Sequence, residues 1–228
     1  DGNSIKAFET AQDHKRVNEG DEGKNTGGMG AYSPSRLINK KLETKIMNKI
    51  INPTLDGLRD LGIVYKGFLY AGLMIKNDEP YLIEYNVRMG DPECQVIIPR
   101  LETDILKIFK KLTANRLDKI KIKWKKSKCM TIVLCAKGYP KKYQKDIKIK
   151  NLKKIKERKN LFIFHAGTKL LNGEYFSVGG RVLNFTALGS KFLTIRKNIL
   201  RIIKNLNWKK GFYRKDIGWR AIKNNANY

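Results

Sequence analysis

The run from Ile83 to Glu93 constrains the fold of this 228-residue chain more than any other segment. It reads as a short strand that ends in a tight turn at Gly90-Asp91-Pro92. Because side chains alternate along a strand, Glu84, Asn86 and Arg88 are predicted to share one face. Carboxylate and amide oxygens are ligands that Mg²⁺ prefers, and a guanidinium suits a phosphate or a carboxylate. The solvated polar face of an antiparallel strand would look the same, so the run alone leaves both interpretations open.

The chain is strongly basic, with 48 Lys and Arg against 21 Asp and Glu and a formal net charge of +27. One hypothesis is therefore a lysine-rich nucleic-acid-binding protein. The densest lysine stretches, 119–128 and 141–159, alternate with Ile, Leu and Trp, as half-exposed strands and surface loops do. No RNA- or DNA-binding motif accompanies them. We therefore favour a general enrichment in lysine and expect no specific nucleic-acid partner.

The cysteine and histidine pattern argues against a zinc site or a disulfide framework. Cys94, Cys129 and Cys135 are scattered and odd in number, and His14 and His165 are far apart in sequence. No apolar run approaches the ~18 residues of a membrane span, and we expect no signal peptide. We expect free structural thiols, no membrane association and a reducing, cytoplasmic location.

Hydrophobic periodicity predicts an α+β chain in two units, 1–118 and 124–222, followed by a frayed tail at 223–228. In the first unit it predicts the following elements: a strand at 4–12, a loop at 19–31, a helix from Leu42 to Leu58 interrupted at Pro53, strands at 65–75 and 81–87 joined by a turn at Asn77-Asp78, and a helix at 102–115 that buries Ile105, Ile108, Phe109 and Leu112.

The second unit is predicted to be mostly β, with strands at 129–136, 145–149, 161–164, 174–178 and 181–187. One late helix is expected to begin after Ser190 as its N-cap. The face of this helix that would be buried carries Ile195, Ile199, Ile202 and Leu206.

A second constellation is the glycine-rich stretch that follows the basic segment Gln12–Arg16. Gly27, Gly28 and Gly30 fall within four residues, which permits positive φ and a close approach of the backbone to a ligand. A concave row of backbone N–H groups would suit an anion. Most such loops are merely flexible turns, so the glycines need the preceding basic segment to indicate a site.

The order of the motifs resembles the phosphoribosylamine–glycine ligase (glycinamide ribonucleotide synthetase) family over about residues 5–222. The stretches that carry the resemblance in the first unit are Gln12–Arg16, Asn25–Pro34, Gly67–Met74 and Glu84–Glu93. Those in the second unit are His165–Thr168, Gly179–Leu183 and Tyr213–Ala221. Another ATP-grasp ligase or a carboxylase would have to match the Gly-Asp-Pro-Glu signature and the second unit by coincidence.

The resemblance implies the second half of an ATP-grasp domain followed by a small, mostly β C-terminal domain. It also implies a reaction of de novo purine synthesis in which ATP, glycine and 5-phosphoribosylamine give glycinamide ribonucleotide, ADP and phosphate through glycyl phosphate. ATP is then a co-substrate and Mg²⁺ (or Mn²⁺) the cofactor, since a carboxylate must approach a triphosphate.

The resemblance also assigns roles to residues. Glu84 and Asn86 occupy the metal-ligand positions, and Arg88 is expected to pair with a phosphate or with the glycine carboxylate. The other implied catalytic residues are Asp13, His14 and Lys15; for His14 an orienting hydrogen bond is favoured over proton transfer. The implied substrate- and ATP-binding residues are Arg16, Asn25, Thr26, Gly27, Gly28 and Gly30. Asp91 is expected to fix the turn and not to touch substrate.

Two departures qualify the resemblance. The strand Phe68–Gly72 carries no carboxylate, although many ATP-grasp enzymes have a second acidic metal ligand there. The start at Asp1–Ser4 reads as a turn within a longer polypeptide, so we expect a fragment, a truncated gene model or one piece of a split enzyme. Its missing partner is expected to be the N-terminal half of the same enzyme, and the chain alone is expected to be inactive. The ligase hypothesis predicts that the site residues lie around one cleft in the folded chain. The nucleic-acid hypothesis predicts instead that the lysines lie on one continuous face.

Overall fold

In the computed structural model of the chain, the described residues are 1–156 and 158–223. They form two compact units. Unit 1 comprises Asp1–Thr10, Ser35–Gly90 and Leu101–Lys125, and unit 2 comprises Ala11–Pro34, Asp91–Arg100 and the described residues from Lys126 onward. The predicted boundary near residue 118 lies close to the end of unit 1. The predicted contiguous division does not match the compact units, because 11–34 and 91–100 pack with the C-terminal part. The tail prediction falls outside the described residues except for Lys223, which ends the last helix.

The elements are numbered in chain order. The strands are β1 (Gln12–Asp13), β2 (Arg16–Asn18), β3 (Glu22–Asn25), β4 (Gly30–Ser33), β5 (Tyr70–Lys76), β6 (Glu79–Asn86), β7 (Lys128–Ala136), β8 (Ile147–Lys148), β9 (Leu161–His165), β10 (Thr168–Leu171), β11 (Glu174–Ser177), β12 (Arg181–Gly189) and β13 (Gly211–Phe212). The helices are α1 (Lys40–Ile46), α2 (Asn52–Asp60), α3 (Cys94–Ile97), α4 (Ile105–Thr113), α5 (Phe192–Leu206) and α6 (Trp219–Lys223).

Unit 2 is built on an antiparallel sheet in the order β1-β4-β7-β12-β9, with β13 also paired to β7. The central strand β7 is buried at every position but its first, as expected of an apolar run covered on both faces. Helix α5 covers the sheet with Ile195, Ile199, Ile203 and Leu206. The predicted buried Ile202 is only half-buried, and the N-cap is Lys191, not Ser190.

The segment 11–34 belongs to this sheet. Strand β4 is fully buried and pairs with β7, Gly30 opposite Ile132, and with β1 on its other edge. The predicted strand at 4–12 is therefore wrong except at its last residue, and the predicted loop at 19–31 contains β3 and the start of β4. The sequence pattern does not reveal β4 as a buried strand, because its only apolar side chains are Ala31 and Tyr32 and it follows a glycine-rich stretch.

Unit 1 contains a layer of helices and a β-hairpin. Helices α1 and α2 are continuous through a wide turn at Met47–Ile51, in which the Asn52 N–H donates to the Met47 carbonyl. Pro53 lies in the first turn of α2, separated from the wide turn by Asn52 alone, and its missing N–H disrupts the normal ladder. The predicted kink or division into two helices therefore takes the form of a wide turn between α1 and α2. Strands β5 and β6 form the predicted hairpin. Asn77 and Asp78 both adopt positive φ (53° and 56°), as a two-residue hairpin turn requires.

The apolar core of unit 1 is small. Its buried apolar side chains include Leu42, Ile108 and Leu117, whereas Phe109, predicted to be buried, is 37% exposed. Apolar side chains on both faces of β6 are exposed, Leu82 by 40% and Ile83 by 65%. None of the helices among residues 1–156 and 158–223 is long and apolar enough to cross a membrane.

Candidate active site

The polar face of β6 comprises Glu84, Asn86 and, just beyond the strand end, Arg88. The Asn86 Nδ2 donates to Glu84 Oε1 at 3.4 Å, and Arg88 Nη2 donates to Asn86 Oδ1 at 3.2 Å. Arg88 is further held by its Nη1, which donates to the Met89 carbonyl at 2.8 Å. The prediction that the three side chains share one face is confirmed. Glu84 and Arg88 are exposed and Asn86 is half-buried, so the face is open to a ligand.

The donor set of this polar face fits Mg²⁺ as a partial site. A carboxylate and an amide oxygen are hard ligands, and Mg²⁺ usually keeps several waters and binds substrate phosphates as well. Gly72 lies opposite Glu84 in the hairpin, and a Cβ there would come within 3.2 Å of Glu84 Cγ. Within the described part of the chain no group of three His, Cys, Asp or Glu side chains could hold a metal ion. These residues therefore fit an ion that is held largely by water and phosphate, not an all-protein cage.

In unit 2, the segment Asn25–Gly30, here called the glycine loop, uses its backbone donors internally. Four consecutive amides donate to protein oxygens: Thr26 to the Lys15 carbonyl (2.8 Å), Gly27 to Tyr139 Oη (2.9 Å), Gly28 to Thr26 Oγ1 (3.0 Å) and Met29 to the His14 carbonyl (2.9 Å). The expectation that these amides form a free anion-binding row is therefore wrong in this structure. The amides instead fix the shape of the loop.

Close packing explains why glycine occupies two positions of the glycine loop. Gly28 has φ 119°, and a Cβ there would lie 2.4 Å from Pro92 Cδ and 2.8 Å from Asp13 Oδ1. Gly30 has φ 155°, and a Cβ there would lie 2.6 Å from the Thr131 carbonyl on β7. A larger residue at either position would have to move backbone or proline atoms, so the glycines let the loop lie directly on the sheet and on the turn before α3.

Arg181 and Asp91 support the glycine loop. Arg181 Nη1 donates to the Gly27 carbonyl at 2.9 Å, and its Nη2 pairs with Asp91 Oδ2 at 3.0 Å. Gln95 Nε2 donates to Asp91 Oδ1 at 2.9 Å. These contacts agree with the expectation that Asp91 fixes the turn. Neither Arg181 nor Tyr139 was identified as a site residue from sequence; Arg181 lies in the Gly179–Leu183 motif, whereas no sequence signal marks Tyr139.

His14 is buried and both its ring nitrogens are engaged. Its Nε2 accepts from the Gly218 N–H at 2.9 Å, which requires a neutral ring, and its Nδ1 lies 3.4 Å from Asp21 Oδ1. Burial lowers the pKa of His14. These contacts favour the orienting role over proton transfer, because the ring has no nitrogen left for a substrate.

Asp21 joins this histidine to a buried arginine. Arg214 is 1% exposed; its Nη1 lies 2.9 Å from Asp21 Oδ1, and its Nε and Nη2 form two hydrogen bonds to Asp216. Arg214 Nη1 also donates to the Arg16 carbonyl at 3.0 Å. The hydrogen bonds from His14 and Arg214 hold the pKa of Asp21 well below its usual range. We call Asp21, Arg214 and Asp216 the ion network.

Asp13, Lys15 and Arg16 occupy three different environments in the same segment. The Arg16 side chain turns back and donates to the Gly23 carbonyl at 2.7 Å, which ties β2 to β3. Lys15 is half-exposed, and its Nζ lies 2.8 Å from Oδ2 of the buried Asp13. Burial, with a smaller contribution from the nearby Glu93, raises the pKa of Asp13 to about 7 in spite of the Lys15 charge.

Two family models match the chain. They are the phosphoribosylglycinamide synthetase ATP-grasp (A) domain, over residues 1–94, and the C domain of the same synthetase, over residues 129–220. These matches confirm the resemblance that the motifs indicated, and the predicted fold class with it. They give no support to the nucleic-acid-binding hypothesis.

Individual relatives agree. The chain is 43% identical to a phosphoribosylamine–glycine ligase of Brucella melitensis over 97% of its own length and 52% of the relative. It is 44% identical to the chloroplastic phosphoribosylamine–glycine ligase of Arabidopsis thaliana over 98% of its length and 43% of that protein. The chain thus spans about half the length of the curated bacterial relative and somewhat less than half the length of the plant protein.

Solved structures show the same fold. A phosphoribosylamine–glycine ligase from Thermotoga maritima matches with a TM-score of 0.76 and 32% identity, over 92% of this chain and 51% of that one. The biotin carboxylase domain of the Hydrogenobacter thermophilus 2-oxoglutarate carboxylase, solved with MgADP and bicarbonate, matches with a TM-score of 0.54 over 78% of this chain and 38% of that one. At 12% identity the second likeness concerns the fold alone.

Proposed function

Because the chain belongs to the phosphoribosylglycinamide synthetase family, with parts of both its ATP-grasp (A) domain and its C domain, we propose that it forms part of a phosphoribosylamine–glycine ligase. The proposed reaction joins glycine to 5-phosphoribosylamine with ATP and gives glycinamide ribonucleotide, ADP and phosphate. The observation that carries the proposal is the polar face of β6, where a carboxylate, an amide oxygen and a guanidinium are linked by hydrogen bonds and open to a ligand.

The first chemical step is activation of the glycine carboxylate by the γ-phosphate of ATP, which gives glycyl phosphate. Both reactants are anions, so the charge between them must be neutralised before they can approach. Glu84 and Asn86 would hold Mg²⁺, which neutralises phosphate charge and orients the phosphates when it is bound. Arg88 then binds the glycine carboxylate or a phosphate oxygen through a charge-assisted hydrogen bond, since its guanidinium already lies beside Asn86.

The second step is attack of the phosphoribosylamine nitrogen on the acyl carbon of glycyl phosphate. We assign contacts with phosphoribosylamine to Lys15 and the glycine loop, and we assign to Asp13 the role of holding the Lys15 ammonium. Lys15 can take part because its side chain is 49% exposed while its ammonium stays close to Asp13. His14 acts as a positioning residue that holds this segment on Gly218.

The proposed function can be tested by joining this chain to the residues of the Brucella melitensis relative that it does not match. We call the product of this fusion the completed enzyme. We expect the completed enzyme to form glycinamide ribonucleotide from ATP, glycine and 5-phosphoribosylamine in the presence of Mg²⁺, measured by incorporation of labelled glycine. The chain alone should form none, because its family relatives are about twice as long.

Two results would count against this account. Product formed by the chain alone would remove the requirement for further residues. A completed enzyme that is folded by circular dichroism and gel filtration, yet forms no product while the unmodified relative does, would contradict the ligase function itself. The relative assayed in parallel is the control for substrate quality.

A further inference from the structure

Unit 2 contains a cavity of about 410 Å³, here called the lysine cavity. Its walls come from the segment between β7 and β8, from β8 and β11 themselves, and from the segment between α5 and β13. All of these elements lie within one compact unit. The volume falls within the range of small-molecule sites, about 300–1,000 Å³. The described residues that line the lysine cavity include none to which the proposed ligase function assigns a role.

The charged side chains of the lysine cavity all carry the same sign. Lys137, Lys142 and Lys210 line it, and among the described residues no Asp or Glu does. None of the three forms an ion pair with an acidic residue in the described part of the chain, whereas Lys148 of β8 pairs with Glu174 at 3.5 Å. A concave surface lined by one sign of charge raises the local concentration of the opposite ion. The lysine cavity therefore favours an anionic ligand.

Lysines alone do not indicate a site in a chain with a net charge of +27. The additional feature of the lysine cavity is its apolar and aromatic lining, because Tyr143, Ile147 and Trp208 face it and are half-buried. Aromatic rings stack on planar groups such as nucleobases, and lysine ammonium groups bind phosphate. The two features together suit a ligand that joins a planar ring to a phosphate.

Both aromatic rings are held by the protein itself. Trp208 Nε1 donates to the Lys148 carbonyl at 3.2 Å, and a Cβ on Gly211 would lie 2.4 Å from Trp208 Cε3. Tyr143 lies against Gly180, where a Cβ would come within 3.0 Å of Tyr143 Cε1. The two glycines thus let the backbone pack against the rings. A ligand that stacks on rings placed in this way loses less free energy to their ordering.

We propose that the lysine cavity binds a mononucleotide, with the phosphate among the three lysines and the base stacked on Tyr143 or Trp208. The volume suits one small molecule, whereas a strand of nucleic acid is bound along an extended groove. Binding needs no metal ion, because the lysine ammonium groups neutralise the phosphate. The proposal does not depend on the ligase function, since the two rest on different residues.

A titration of the 228-residue chain with adenosine 5′-monophosphate tests the proposal. EDTA is present, so that Mg²⁺ cannot support binding at the polar face of β6. Indole ¹H–¹⁵N NMR follows Trp208, whose signal is assigned by its loss in Trp208→Phe. We expect this signal to shift saturably and more than those of Trp124 and Trp219. The affinity should fall as NaCl is added, because salt screens the lysine charges.

Two variants with the same loss of net charge separate the lysine cavity from the basic surface in general. The cavity variant combines three substitutions: Lys137→Gln, Lys142→Gln and Lys210→Gln. The control variant combines three substitutions of exposed lysines on or next to α5: Lys191→Gln, Lys197→Gln and Lys204→Gln. We expect the cavity variant to bind adenosine 5′-monophosphate at least about 10-fold more weakly and the control variant to stay within a few-fold of the parent chain. All six lysines are exposed, so both variants should keep the parent circular dichroism spectrum.

Further ligands identify what the parent chain recognises. Adenosine lacks the phosphate and ribose 5-phosphate lacks the base, so each should bind at least about 10-fold more weakly than the mononucleotide. Oligoadenylate presents the same groups in a polymer and should bind no more tightly than the mononucleotide.

Four results would overturn the proposal. They are no Trp208 shift at millimolar adenosine 5′-monophosphate, equal losses of affinity in the two variants, equal affinity for ribose 5-phosphate or adenosine and the mononucleotide, and much tighter binding of oligoadenylate. The third would mean that only one of the two groups is recognised, and the fourth would assign the lysine cavity to nucleic acid. None of these results bears on the ligase function, which the completed enzyme tests separately.

Discussion

Replacement of Glu84 by Gln in the completed enzyme is expected to lower kcat/KM by about 100-fold or more, because a metal ion in phosphoryl transfer stabilises charge by several kcal/mol. The carboxylate is the one charged oxygen ligand on the polar face of β6, and Asn86 offers only an amide oxygen. Glu84 is exposed, so the loss should come from metal and nucleotide binding and not from unfolding. A Mg²⁺ titration of the rate should show a higher Mg²⁺ requirement in the variant.

The matched control for this prediction lies on the same strand. Glu79 begins β6 and pairs with Lys45 and Lys49 on α1 and the wide turn after it. Exposed pairs of this kind contribute little, so Glu79→Gln should keep normal turnover. Near-normal activity of Glu84→Gln across the Mg²⁺ titration would remove Glu84 from the metal site.

Replacement of Arg214 by Met is expected to destabilise unit 2 by about 3 kcal/mol, the usual cost of removing one partner from a buried ion pair. The guanidinium forms two hydrogen bonds to Asp216, one to Asp21 and one to the Arg16 carbonyl. Met fills much of the same volume but leaves both carboxylates of the ion network without this partner. Urea denaturation of the chain, followed by circular dichroism, measures the change.

An exposed arginine pair provides the comparison for Arg214. Arg59 Nη2 lies 2.6 Å from Asp56 Oδ1 on α2, with a side chain 51% exposed, so its geometry is as close as that of the ion network. We expect Arg59→Met to change the unfolding free energy by less than about 1 kcal/mol. Equal effects of the two substitutions would mean that the burial of Arg214 does not matter, which would contradict this account of the ion network.

Local pattern was enough to predict the polar face of β6. Alternation along a strand placed Glu84 and Asn86 on one side, and the Asn77-Asp78 turn set the hairpin that carries them. Both inferences depend on residues within a few positions of one another. The same local reasoning predicted the buried run of β7 and the helix α5, where the periodicity is strong.

Long-range contacts could not be predicted in this way. The partners of the ion network lie far apart in sequence, Asp21 near the start and Arg214 near the end, and no periodicity connects them. The same reason explains why the membership of residues 11–34 in unit 2 was not predicted. These residues join the unit 2 sheet through the pairing of β4 with β7, a contact that crosses about 100 residues of chain.

The glycine loop shows why a motif does not specify its own physical role. Its sequence predicted free amides for an anion, but acceptors from distant residues such as Tyr139 use those amides. Gly28 must be glycine because a Cβ there would meet Pro92 and Asp13. Pro92 is remote in sequence from the loop, and Asp13 lies on β1. Only the folded arrangement separates a loop that binds an anion through its backbone from one that is held in place by packing.

The most direct test of the central claim follows an oxygen atom of glycine through the reaction. Glycine labelled with ¹⁸O in its carboxylate is supplied to the completed enzyme with ATP, Mg²⁺ and 5-phosphoribosylamine, and the phosphate released is analysed by mass spectrometry. If the chain contributes to a ligase that works through glycyl phosphate, each glycinamide ribonucleotide formed should be accompanied by one ¹⁸O in phosphate. Product accompanied by unlabelled phosphate, or ATP hydrolysis without product, would contradict the account.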